Sequence, residues 1–91
     1  MNIYIVFGDT GEYSDYRQWI VCAYQDEEKA KARVVELETL MKNLGAVTGS
    51  DWDKLWKAGK AMREHERGDV NFDIDYTGTH YCYEATELKD A

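Results

Sequence analysis

Proline is absent from this 91-residue chain, and cysteine and histidine occur twice each. No apolar run approaches the roughly 20 residues of a membrane span. Each shortage excludes something. Without proline there is no proline-rich recognition tail or stiff linker. Two cysteines are too few for the disulfide framework of a small secreted domain. Cys22 and Cys82 both fall in apolar, strand-like runs, which reads as buried thiols in a reducing compartment; spacing does not decide whether the two meet. The opening run, Met1 to Phe7, is shorter than a signal peptide and lacks both a basic start and a small-residue cleavage site, so the expected location is the cytoplasm. Bases are also scarce: 11 Lys and Arg face 18 Asp and Glu, for a net charge of −7. Binding a phosphate backbone needs a basic stripe, so direct contact with nucleic acid is not expected, whereas a partner protein with a basic surface is.

What is present describes one domain spanning residues 1–91. Hydrophobic residues make up 44% and aromatics 13%, which supplies a modest core with aromatic side chains to spare. Residues 2–7 read as a strand with Ile3, Ile5 and Phe7 on one face and Tyr4 and Val6 on the other, hence central in a sheet. Gly8 to Glu12 form a turn-rich break. Residues 17–24 form a second strand, Trp19, Val21 and Ala23 facing one way, Ile20, Cys22 and Tyr24 the other. Asp26-Glu27-Glu28 opens a helix whose apolar stripe is Ala30, Val34, Leu37, Met41 and Leu44, stopped at Gly45.

Ser50 is placed as the N-cap of a second helix running to Gly68, with Asp53 three residues on as in a capping box. Its apolar face is Trp52, Leu55, Trp56, Gly59 and Met62, so both tryptophans are expected in the core. Residues 70–76 alternate, Val70, Phe72, Ile74 and Tyr76 inward, Asn71, Asp73 and Asp75 outward, which predicts a half-exposed strand. Thr77-Gly78 then turns into a last strand over 79–86. The fold expected is α+β in the order ββααββ, a four-stranded antiparallel sheet with two helices packed on one face.

Acid concentrates late. Residues 68–91 hold Asp69, Asp73, Asp75, Glu84, Glu87 and Asp90 against Lys89 alone, net −5, while residues 51–67 are net +1. On a strand, Asp73 and Asp75 stand about 7 Å apart, close to the spacing of successive phosphates. Such a row either guards a sheet edge, or occupies a Lys/Arg groove in place of nucleic acid. A metal role is weaker, because Asp73-x-Asp75 lacks the glycine turn and distal glutamate of a calcium loop. Tyr13 and Tyr16 bracket Asp15 in a polar loop, a setting for contact residues or for a ring folded over the sheet end.

Catalytic patterns are missing. His80-x-Cys82 shares a strand face but is two ligands, not a zinc site. Asp9 and Asp15 are a possible acid–base pair without a recognisable pocket. Gly8-Asp9-Thr10-Gly11 lacks the spacing and following helix of a phosphate loop. No enzymatic activity, cofactor or metal is expected.

The run Tyr13-Ser14-Asp15-Tyr16, a strand ending Ala23-Tyr24, the opening Asp26-Glu27-Glu28-Lys29-Ala30 and the late Tyr81-Cys82-Tyr83-Glu84-Ala85 together resemble a group of small phage-encoded proteins. The likeness covers roughly residues 2–44 and 79–88; the segment 46–67 departs from that pattern. It implies a bacterial host cell as the setting. Small acidic phage proteins that block host defence imitate nucleic acid in charge, so the resemblance implies a protein-binding inhibitor of a host ribonucleoprotein, of the anti-CRISPR kind. Asp73, Asp75, Glu84 and Glu87 would occupy the basic groove and Tyr13, Asp15 and Tyr16 would anchor it. The alternative is a structural or accessory phage protein acting as a homodimeric scaffold. Monomer and homodimer both remain open.

Overall fold

The computed structural model of the chain describes residues 1–47, 51–75 and 77–87. It is α+β, with two helices and a three-stranded antiparallel sheet. The strands are β1 (Asn2–Thr10), β2 (Arg17–Tyr24) and β3 (Thr79–Glu87), ordered β2-β1-β3. The helices are α1 (Glu27–Asn43) and α2 (Trp52–Glu64). The expected central position of the first strand holds. It continues to Thr10, past the expected end at residue 7, and a 3-10 turn at Tyr13–Asp15 closes the shorter loop to β2.

Side-chain alternation assigns the two faces. Tyr4, Val6, Gly8 and Thr10 of β1 face the helices. Opposite them lie Tyr24, Cys22 and Trp19 on β2, and Ala85, Tyr83, Tyr81 and Thr79 on β3. A bulge between the Val6–Cys22 and Phe7–Ile20 pairs leaves Val21 as an extra residue. A bulge reverses the face of everything beyond it. Ala23 therefore shares a face with Ile20 rather than with Trp19, and the unbroken alternation expected for this strand is corrected at that point.

Helix α1 forms as its sequence dictates. Asp26 caps it, its side chain accepting from Glu28 N at 2.9 Å, and Lys42 lies in the last turn, complementing the dipole. Its stripe of Ala30, Leu37 and Met41 is buried, with Val34 and Leu44 packed beside them. The core joins these to Val6 and Tyr81 of the sheet, and to Ala58, Met62 and Phe72 from α2 and the segment after it. The rings of Tyr4 and Tyr83 meet edge to face at 6.4 Å.

Helix α2 departs from expectation at both ends. Its N-cap is Asp51, whose carboxylate accepts from Lys54 N at 3.2 Å. Ser50 lies outside the described residues. The helix ends at Glu64, and His65 to Gly68 make a turn in which Gly68 N donates to His65 O. A Cβ on Gly68 would stand 1.9 Å from Met62 O, so only glycine lets the chain reverse there.

No fourth strand appears among the described residues 70–75, and Tyr76 lies outside them. The expected alternation holds only in part: Phe72 is buried, but Val70, expected inward beside it, is 76% exposed, and the backbone has other partners. Phe72 N donates to Asp69 O and its carbonyl accepts from Arg63. Ile74 N donates to the Asp73 side chain and Asp75 N to Thr10 Oγ1. N–H groups engaged in this way are not offered to a ladder. The segment crosses the sheet end instead, fixed by Thr10 Oγ1 donating to Gly78 O at 2.7 Å and by Gly11 N donating to Thr77 Oγ1 at 3.1 Å.

Gly8 is where the sheet is tightest. A Cβ there would sit 2.6 Å from the Trp19 indole, which crosses the central strand in the space a side chain would fill. Gly8→Ala is expected to destabilise the fold by about 1–3 kcal/mol through overpacking, read from urea unfolding. In a Trp19→Ala background the same change should cost markedly less, since the two positions share one contact; an equal cost in both backgrounds would contradict that.

Candidate functional site

The most elaborate polar arrangement is buried. Asp69 is 2% exposed, yet its carboxyl group is fully engaged. One oxygen accepts from Trp19 Nε1 and from the Tyr81 hydroxyl, both at 2.8 Å, and the other from Asn71 N at 3.0 Å. The loop that delivers it is held by Asp69 N donating to Met62 O, and by Arg33 of α1 donating to the carbonyls of Arg67 and Gly68 at 2.7 and 2.9 Å. Arg33 and Arg67 both pair with Glu36, and those two guanidinium groups, Arg67 foremost, hold its carboxyl below the usual range. Burial, then the charge and hydrogen bond of Asp69, push the Tyr81 phenol far above its ordinary value. Such a proton is fixed at neutral pH, so this cluster ties strands to loop and is not an acid–base pair.

The charge that faces water gathers at the β1–β2 end of the sheet. Arg17 Nε donates to Asp73 at 2.7 Å, its Nη1 lies 3.6 Å from Asp75, and Nη1 also donates to Asp15 O at 2.8 Å. Tyr16 donates to Asp9 at 3.3 Å, and His80 lies 3.7 Å from the same aspartate. Asp73 and Asp75 thus hold Arg17 by their carboxylates and Asp15 meets it through its backbone carbonyl, while Asp9 is engaged by Tyr16 and His80. Tyr13 stands at the loop tip, 95% exposed, with a positive φ of 52° that few non-glycine residues adopt.

Of the residues expected to bind a partner, Tyr13, Asp15, Tyr16, Asp73 and Asp75 converge here. The expected outward row of Asp73 and Asp75 is corrected: they are not on a strand, and Arg17 lies between them and a free negative surface. Glu84 is exposed farther along β3, opposite Ile5, and Glu87 is at the far end, opposite Asn2, on the other face. Neither has an ion-pair partner among the described residues.

The face of the sheet turned away from the helices is the second feature. Ile3, Ile5 and Phe7 run down its centre. Ile20 and Cys82 flank Phe7, Ala23 and Glu84 flank Ile5, and Gln18 and His80 flank Asp9. Ile3, Ile5, Phe7 and Ile20 stand outside the core cluster, and Ile20 is 59% exposed. Cys82 lies on this face and Cys22 on the other; both are free thiols. Burial, then Asp9 and Glu84, push the Cys82 thiol up, which leaves it a poor nucleophile.

No family model, curated protein or solved structure matches the chain. Its chemistry is therefore read from its own side chains. Among the described residues, no group of three or more His, Cys, Asp or Glu is arranged to hold a metal ion. No helix is long and apolar enough to cross a membrane.

Trp52 and Trp56, expected in the core, are 57% and 65% exposed. With Gly59, Arg63, Asp73 and Ile74 they line an open groove of about 370 Å³, and Lys60 sits 5.9 Å over the Trp56 ring. The buried stripe of α2 is Leu55, Ala58, Gly59 and Met62. That i, i+3, i+4, i+7 set was legible, and it leaves both tryptophans on the flank. Asp69 and Arg17 were missed as well. Nothing in their spacing marks them, since their side-chain partners lie 12 to 58 residues away.

The folded chain keeps the Tyr81 proton above pH 10, where the unfolded chain releases it, so stability present below pH 10 falls as pH rises beyond it. Tyr81→Phe should lower stability near neutrality by about 1.5–3 kcal/mol, the worth of a hydrogen bond to a charged group. It should also flatten the alkaline decline by one proton, about 1.4 kcal/mol per pH unit. Urea midpoints between pH 7 and 11 measure both; an unchanged alkaline slope would contradict the assignment.

Proposed function

We propose that this chain is an acidic protein-binding module whose partner presents a basic surface. Its mode of action is occupation of a groove that would otherwise hold nucleic acid. The observation that carries the reading is the gathering of Asp9, Asp15, Asp73 and Asp75 at one end of the sheet, where Arg17 pairs with Asp73 and Asp75, beside two exposed tyrosines. Charges held at a rigid sheet end act together on an approaching partner, and tyrosines give contact area at little entropic cost. The overall charge of −7 has the same sign. The resemblance to small phage-encoded proteins supports a host complex that handles nucleic acid as the target, as for an anti-CRISPR protein in the bacterial cytoplasm.

In this reading Tyr13 and Tyr16 are the anchors, and Asp15 and Glu84 supply charge directly. Asp73 and Asp75 act chiefly through Arg17, which they hold in place and neutralise. A homodimeric scaffold is the second reading, favoured by the exposure of Trp52 and Trp56.

Immobilised chain exposed to bacterial lysate, with bound proteins identified by mass, tests the proposal. A basic nucleic-acid-handling complex should be retained at physiological salt and released as salt rises. The double variant Asp15→Lys, Glu84→Lys should retain about tenfold less while keeping its urea midpoint. Equal retention by the variant would refute the acidic-surface reading. A chain that sediments as a dimer at micromolar concentration and retains no such complex favours the scaffold.

A further inference from the structure

The helices cover one side of the sheet and leave the other uncovered. The shortest principal extent of the molecule is 16 Å, enough for one layer of helix on one sheet and too little for a third layer. Yet the uncovered face is not built for water. Its central row is Ile3, Ile5 and Phe7, widened by Ile20 and by the small side chains Ala23 and Cys82. An antiparallel sheet with one solvated face ordinarily alternates to polar there. The polar groups on this face lie at its margins: Asp9 with Gln18 and His80 at one end, Glu84 and Thr86 along β3. Among these strand residues the charges are acidic, and only His80 could become cationic.

The shape of this face selects an occupant. Three strands at a spacing of about 4.8 Å make a floor about 14 Å wide, and an α-helix with its side chains is about 10–12 Å across. One helix fits; two do not. The nine residues of β1 give the floor a length of about 30 Å, the length of some 20 helical residues. Asp9 and Glu84 stand four residues apart along the strand direction, about 13 Å, which is between two and three helical turns. A second copy laid face to face would oppose the same acidic margins to each other. An extended peptide would seek the backbone groups at the edges of β2 or β3 instead of the face.

We propose that this face is the docking site for a single amphipathic α-helix of the partner. Its apolar stripe would lie along Ile3, Ile5, Phe7 and Ile20, and Lys or Arg two to three turns apart would reach Asp9 and Glu84. The proposal rests on the protein-binding reading above and specifies the element the partner supplies. Docking completes the missing third layer and buries the half-exposed row of Ile3, Ile5 and Phe7 together with the exposed Ile20.

The probe is a 16-residue Leu/Lys peptide with leucines at i, i+3, i+4 and i+7 spacing, compared with its Leu/Glu counterpart. Binding is followed by isoleucine-methyl NMR of the protein and by circular dichroism of the peptide. The Leu/Lys peptide should become helical on binding and shift the methyls of Ile3, Ile5 and Ile20, whereas the Leu/Glu peptide should not. Ile20→Arg, at an exposed position, should weaken binding about tenfold or more with the melting temperature unchanged, and Ile20→Val should bind as the parent does. Shifts confined to the Trp52–Trp56 groove, an extended bound peptide, or equal binding by Ile20→Arg would overturn the proposal. So would a dimer in sedimentation that Ile20→Arg dissociates, since the occupant is then a second copy. If Ile20→Arg retains the lysate complex while Asp15→Lys, Glu84→Lys does not, the acidic reading stands and the helix site falls. If the peptide binds as stated but no nucleic-acid-handling complex is retained, the helix site stands and the choice of target falls.

Discussion

A carboxyl group taken out of water has to find donors within the protein, and Asp69 finds three. An unpaired carboxylate at that depth would cost several kcal/mol, so its partners are constrained to stay where they are. Those partners come from β2, β3 and the loop after α2, and the β2 partner, Trp19, lies 50 residues away in sequence. Two glycines make the meeting possible. Gly8 leaves room for the indole to cross the central strand, and Gly68 lets the loop turn tightly beneath α2. Arg33 closes the arrangement from α1 by occupying the loop carbonyls. One polar contact thereby joins strands, loop and both helices on the same side of the sheet.

The acidic end and the apolar face of the sheet follow from that asymmetry. Because the loop after α2 is drawn against the helix side, residues 70–75 cross the end of the sheet instead of extending it. Asp73 and Asp75 consequently arrive beside Arg17 and the β1–β2 loop, where Asp9 and Asp15 already stand. The other side of the sheet receives no helix from the described residues; Tyr16 reaches its end at Asp9, and Ile3, Ile5 and Phe7 stay half-buried there. An acidic end and an apolar face adjoin at Asp9, whose carboxylate accepts from Tyr16 and lies near His80. That junction suits a partner carrying both apolar and basic groups better than it suits bare nucleic acid.

The local elements were legible in the sequence because local rules set them. The α1 stripe, its acidic first turn and the central placement of β1 all follow from period and composition. The bulge at Val21 was not legible, since one extra residue leaves no mark on an apolar run. Residues 70–76 misled for a related reason. Alternation pointed to the burial of Phe72 but not to the exposure of Val70, and it says nothing of whether the backbone N–H groups pair with a strand or with Asp69, Asp73 and Thr10. Of the candidate site, the sequence located Tyr13, Asp15 and Tyr16 together, but it could not show Arg17 reaching 56 residues ahead to Asp73. Long-range partners of a lone charge carry no periodicity.

Hydrogen exchange of the three indole N–H groups, followed by NMR, tests the role of Asp69 most directly. Trp19 donates to a buried carboxyl group, while Trp52 and Trp56 lie open to water. The Trp19 indole should exchange only with global unfolding, and those of Trp52 and Trp56 at nearly free rates. A Trp19 indole that exchanges as fast as the other two would show that the buried contact does not hold this side of the sheet together.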